Sequence, residues 1–270
     1  MPNKLSTKKT KIEWTDYSWN PWQGCRKVSA GCANCYMYRD KKRYGQDGSE
    51  IYRSSKATFE KPLKLEDGAT VFACSWSDFF IEEADAWRDD AWDIIRRTPN
   101  LTYLILTKRP ENMAGRLPDD WGENFGHVWL GVTAENQEAA DKRIPTLIDT
   151  PAAHRFVSLE PLIGEVGLTM IDGLHRGLQV SMNALDSDWS SCGGVHFDHP
   201  TIEWVIVGGE TGAKSKARPM KREWVDTVYQ ECVRAGVPFF FKQEGAHKLE
   251  RSHPMLEFDF EWVKEFPWKN

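Results

Sequence analysis

The sequence predicts an α/β fold, an incomplete (β/α) barrel of about six to eight parallel strands. Three observations carry this expectation. Short β-branched or aromatic runs alternate with helical patterns, as parallel βαβ units require. The runs are almost continuously apolar, as strands covered on both faces are. Polar residues recur just after the runs: Ser75, Ser77 and Asp78; Thr107, Lys108 and Arg109; Thr133, Glu135 and Asn136; Ser158 and Glu160; Glu210; Lys242, Gln243 and Glu244. In a barrel such strand ends converge on one rim, where active sites are built, whereas an open doubly wound sheet gathers them less evenly.

The elements follow in order. A first, weaker strand is expected within "TKIEWTD" (10–16), then "TVFACSW" (70–76), which places Cys74 in mid-strand. A helix over "ADAWRDDAWDIIRRT" follows, with Ala84, Trp87, Ala91, Trp92, Ile94 and Ile95 on one face. "LTYLILT" (101–107) and "HVWLGVT" (127–133) are the next strands, and "NQEAADKRIPTLIDT" reads as a helix with Ala139, Ala140, Ile144, Leu147 and Ile148 inward. "HRFVSLEPL" (154–162) and "IEWVIVGGE" (202–210) are strands, and the helix "KREWVDTVYQECVRAG" places Gly236 as its C-cap and Cys232 in its apolar pattern. "VPFFFKQEG" (237–245) closes the series. Residues 168–201, rich in Ser, Asp and Gly, read as an inserted loop holding Cys192, His196 and His199. An aromatic, acidic tail begins near residue 246 and is expected to cover an open side or the bottom of the barrel. The organisation expected is one domain over residues 1–270.

Apolar residues (40%) and charged residues (28%) stand at globular levels. No run of eighteen apolar residues is present, which excludes a membrane-spanning helix, and the polar, basic start is unlike a secretory leader. A cytoplasmic location with reduced thiols is expected. The net charge of −5 hides an asymmetry: residues 1–64 hold fourteen Lys and Arg against six Asp and Glu. A basic quarter suits either a solvated face or contact with a polyanion such as nucleic acid. Among thirteen tryptophans, Trp14, Trp19, Trp22 and Trp76 flank polar motif residues, as pocket-lining rings do.

The densest chemical signal is "QGCRKVSAGCANCYMYRD", with Cys25, Cys32 and Cys35 spaced C-x6-C-x2-C and Gly24 and Gly31 allowing the loop to fold round a centre. The helical pattern "YMYRDKKRYG" follows, so the thiols lie on the loop after the first strand. Three readings fit: a structural zinc, which needs a fourth ligand from elsewhere; thiols without metal; or a [4Fe–4S] cluster on three thiolates, with one iron open to a small molecule.

Three cysteines after the first strand of a (β/α) barrel resemble a radical S-adenosylmethionine (SAM) enzyme. That resemblance implies a radical-SAM-like barrel, a cluster on Cys25, Cys32 and Cys35 that chelates SAM, a 5′-deoxyadenosyl radical, and a protein reductant. The usual first gap is three residues rather than six, and the residue before the third cysteine is usually aromatic, where this chain has Asn34 and then Tyr36. The usual Gly-Gly-Glu motif stands here on a late strand, as Gly208-Gly209-Glu210. The segments "KIEWTDYSWNPWQGCRKVSAGCANCY", "SLEPLIG", "WVIVGGETG", "ARPM" and "FFFKQEG" resemble a second family more closely, the phage gene-product thirty-seven/sixty-eight or three-Cys-motif proteins, over residues 11–245. That likeness implies a phage or prophage setting, and with it nucleic-acid or nucleotide modification.

On these grounds Ser75, Asp78, Glu160, Gly208, Gly209, Glu210 and Arg218 are the expected cofactor contacts, and Glu160, Lys108 and Lys242 the expected catalytic groups. Lys108, Arg109, Lys242 and Glu244 equally suit a structural ring of ion pairs, and Glu160 a pair with Lys108 or Arg109. Asp16, Asn20 and Trp22 are expected to shape the pocket. The alternative function is a zinc-stabilised nucleic-acid-binding module without catalysis. No dinucleotide fingerprint, P-loop or nucleophile elbow is present.

Overall fold

A computed structural model describes residues 8–175, 178–187, 189–190, 196–197, 199–249 and 263–268. The chain is mixed α/β. Seven principal strands are β1 (Tyr17–Trp19), β2 (Thr70–Ala73), β3 (Thr102–Thr107), β4 (Val128–Thr133), β5 (His154–Leu159), β6 (Trp204–Gly208) and β7 (Phe239–Gln243). They form a parallel sheet hydrogen-bonded in chain order. An order that never reverses lacks the switch point of a doubly wound sheet and is compatible with an incomplete (β/α) barrel. The larger helices are α1 (Tyr36–Arg43), α2 (Asp85–Arg96), α3 (Gln137–Asp149) and α4 (Arg222–Ala235). Among the described residues no helix is long and apolar enough to cross a membrane.

The chain divides into two compact units, residues 1–27, 37–131 and 151–154, and residues 28–36, 132–150 and 155–270. In the first, β1 pairs with β2 (Tyr17↔Val71, Trp19↔Ala73) and β2 with β3 (Thr70↔Thr102). Its core is aromatic: the ring of Trp92 lies 4.8 Å from Phe79 and 5.4 Å from Trp121. Trp14, Trp19 and Trp22 are buried there, so three of the four tryptophans assigned to a pocket pack the core instead. The first strand begins at Tyr17, after the expected segment, because side chains replace the ladder before it: Asp16 N–H donates to Thr70 Oγ1 at 2.9 Å, and Thr70 N–H to Asp16 Oδ2 at 3.0 Å. Cys74 stands one residue past β2, with φ +62°. On α2, Arg88 is buried where Trp87 was expected, because its guanidinium donates to the carbonyls of Phe79 (3.0 Å) and Ile81 (2.5 Å).

In the second unit β6 pairs with β5 (Trp204↔Phe156) and with β7 (Val205↔Phe239). Helix α3 starts at Asn136, whose side chain accepts from Ala139 N–H at 3.0 Å, an N-cap bond. Helix α4 ends at Gly236 in the left-handed region, φ +67°, as a C-cap glycine does. The span expected to be a loop contains antiparallel pairs instead, Ile171–His175 with Leu178–Met182 and Trp189–Ser190 with His196–Phe197. Ile171 and Met182 are buried, an apolar pattern that the surrounding Ser, Asp and Gly obscured. Cys192 lies outside the described residues; His199 is buried, and its Nδ1 donates to the Pro200 carbonyl at 2.8 Å. The described part of the tail lies along β7: Phe241 N–H donates to Val263 O at 2.8 Å and Glu265 N–H to Phe239 O at 3.1 Å.

Candidate functional site

In the first unit the turn after β2 supplies a buried carboxylate, Asp78. Its Oδ1 accepts from Phe80 N–H (3.0 Å) and Thr107 Oγ1 (2.7 Å), and its Oδ2 from Lys108 N–H (2.9 Å) and Arg109 Nη1 (3.1 Å). Four donors, one from its own turn and three from the end of β3, engage both its oxygens, so its charge holds protein groups. Arg109 is equally buried. Its Nη1 stands 3.8 Å from Cys25 Sγ, and its Nη2 donates to the Arg26 carbonyl at 2.8 Å. The backbone about Cys25 is pinned as well: Gly24 N–H donates to Trp76 O (3.1 Å), Cys25 N–H to Gly48 O (3.0 Å), and Ser77 Oγ to Gly24 O (2.5 Å). Gly24, at φ +87°, has no room for a Cβ, which would fall 1.9 Å from Glu50 O. Asn20 accepts from Trp76 N–H at 2.7 Å and donates to Ser75 Oγ at 3.1 Å, which fixes Ser75 at the end of β2.

In the second unit residues 28–36 carry Cys32 and Cys35 on a tight turn. Ala30–Cys32 is a single 3-10 turn, and Cys35 N–H donates to Cys32 O at 3.4 Å. Gly31 N–H donates to Glu135 Oε1 at 3.1 Å, while Glu135 Oε2 accepts from Arg143 Nη1 at 2.6 Å. Both members of that pair are buried. Asn34 Nδ2 donates to Glu210 Oε2 and to the Lys216 carbonyl, both at 2.9 Å. Glu210 Oε2 also accepts from Arg218 N–H (2.8 Å) and Nε (3.0 Å), and Glu210 Oε1 accepts from Arg218 Nη2. Burial alone pushes the Glu210 carboxyl up, but these hydrogen bonds outweigh it and hold its pKa below the ordinary 4.5.

The glycines expected to approach a ligand have a packing reason. A Cβ on Gly209 would fall 2.0 Å from Glu244 O, and one on Gly208 would press on the Glu160 carboxyl at 3.2 Å. Glu160 pairs with Lys242 at 2.6 Å rather than with Lys108 or Arg109. Its side chain is 20% exposed and that of Lys242 21%, so this strand-end pair is open to solvent where Asp78–Arg109 and Glu135–Arg143 are closed. Lys108 uses its backbone N–H on Asp78.

Five cysteines are described, and none is in a disulfide. Cys25, Cys32 and Cys35 are half-buried, whereas Cys74 and Cys232 are core residues whose thiol pKa is pushed up chiefly by burial. Among the described residues no three His, Cys, Asp or Glu side chains already stand together as a metal site. Sequence reasoning passed over the Glu135–Arg143 pair. Its signal was an arginine on the apolar face of α3, among Ala139, Ala140, Ile144 and Leu147.

Fold and site together define a parallel α/β protein whose strand ends hold a cysteine-bearing loop through carboxylate–arginine pairs. The chain belongs to the DUF5131 family, described as proteins of unknown function, whose profile matches residues 9–260. No curated protein and no solved structure matches it.

Proposed function

We propose that this chain is an iron–sulfur enzyme of the radical SAM type, with Cys25, Cys32 and Cys35 as the cluster's thiolate ligands. One observation carries the reading: the described cysteines separate into two buried, inert thiols and three half-buried ones, all three on the loop after β1. The donor set fits the group. Three half-buried thiols among the described residues match a cubane that leaves one iron open, whereas structural zinc takes four protein ligands. Metal binding can itself complete a site that the metal-free chain does not hold ready. When bound, a reduced cluster supplies the electron that cleaves SAM.

The remaining roles belong to the chain's own side chains. Arg109 donates to the Cys25 sulfur, and Asp78 holds Arg109 in place. Glu160 and Lys242, hydrogen-bonded and solvent-facing, form the pair suited to passing a proton to or from a bound substrate. Asn20 fixes the Ser75 hydroxyl at the end of β2. The basic N-terminal quarter suits a nucleotide or nucleic-acid substrate, in keeping with the likeness to phage proteins.

Anaerobic reconstitution with iron and sulfide, then dithionite and SAM, tests the reading. Broad visible thiolate-to-iron absorption and release of 5′-deoxyadenosine are expected, and Cys→Ser changes at the three positions should abolish both. One zinc and no iron in protein purified without oxygen would overturn the proposal in favour of a zinc-stabilised binding module.

A further inference from the structure

The geometry points to Glu135 and Glu210 as positioning residues of the thiol turn, each locked by its own arginine and each gripping the residue just before a cysteine. Glu135 takes the N–H of Gly31, directly before Cys32. Glu210 takes the side-chain amide of Asn34, directly before Cys35. The two anchors are built alike. Arg143 Nη1 spans Glu135 Oε2 (2.6 Å) and the Thr133 carbonyl (2.7 Å), tying the first to the end of β4. Arg218 gives Glu210 three donors, tying the second to the residues after β6. Gly31 is seated directly on the first carboxylate, since a Cβ there would lie 3.0 Å from Glu135 Cδ. Asn34 reaches the second anchor twice, through Glu210 Oε2 and the Lys216 carbonyl.

A carboxylate occupied in this way holds a loop rather than a ligand. Glu210, expected to meet a cofactor, has both oxygens engaged by Arg218 and Asn34. An arginine partner offsets the burial of each carboxylate, and charge-assisted hydrogen bonds are the stronger kind. The turn Ala30–Cys32 and the following Cys35 are thereby presented from two strand ends at a fixed spacing before any metal arrives. As metal-site positioning, the assignment rests on the three cysteines being ligands; as anchoring of the turn, it stands without that reading.

The test compares Asn34→Ala and Glu210→Gln with wild type in the full chain. Asn34→Ala leaves both ion pairs intact, so the fold is retained, and unchanged amide exchange in α4 serves as its control. In metal-free protein, exchange of residues 28–36 is expected to rise about fivefold or more in each variant, the scale of one lost hydrogen bond. After anaerobic reconstitution, iron affinity is expected to fall about tenfold, with an altered cluster spectrum. Unchanged exchange in residues 28–36 overturns the anchoring. Faster exchange with undiminished iron binding and an identical spectrum overturns the positioning of ligands. Faster exchange in a protein whose wild type takes up no iron upholds the anchors and removes the cofactor reading alone.

Discussion

Single residues in this protein are held by charge and by close backbone approach. The Glu210 carboxyl has a depressed pKa in the folded chain, so the stability it contributes is complete above its unfolded value of about 4.5 and is lost as pH falls through the folded value. Wild type should therefore exceed Glu210→Gln in urea midpoint at neutral pH, and the gap should close in acid; a gap independent of pH would refute the linkage. Gly209→Ala should cost about 1–3 kcal/mol in urea unfolding, because the new methyl meets the Glu244 carbonyl, a backbone atom that cannot rotate away. Glu160→Gln keeps the shape of the half-buried pair and removes its charge, so on the proposed function 5′-deoxyadenosine release should fall while the melting temperature stays near wild type. The cysteine motif was legible in the sequence because its chemistry is local. The partners of Glu135 and Glu210 were not, because Gly31 and Asn34 reach them across more than a hundred residues of chain.

At the scale of elements, the βα rhythm was readable because each strand is a continuous apolar run and each long helix has one buried face. Asn136 and Gly236 mark helix ends by local rules, and both act as those rules require. Asn136→Ala should destabilise the fold by about 1 kcal/mol, read as a shift in urea midpoint with unchanged slope. The antiparallel pair Ile171–His175 and Leu178–Met182 escaped the sequence reading because a Ser-, Asp- and Gly-rich stretch adjoins it, while packing constrains its place. Gly173 shows the constraint: a Cβ there would strike Pro145 of α3 at 2.6 Å. Arg88 and Arg143 escaped for a related reason. Each occupies a buried helical position that periodicity reserves for an apolar side chain, and each is kept there by carbonyl and carboxylate acceptors.

For the molecule as a whole, the sheet follows the order of the chain, so alternation along the sequence was enough to indicate the topology. What alternation does not contain is how a sheet edge is finished. Residues 263–268 lie on β7, with Lys264 opposite Phe240 and the indole of Trp204 donating to the Glu265 carbonyl at 2.9 Å. The ring of Trp268 lies 5.0 Å from Trp204. Deleting this segment should bare the donors of β7 and cause association, seen as a concentration-dependent rise in light scattering.

That strap also sets an order of events during synthesis. It leaves the ribosome later than the strand it covers, so the nascent chain passes through an interval in which β7 has emerged and its seal has not. Slow translation between β7 and this segment would lengthen that interval, and a holding chaperone would be of most use within it.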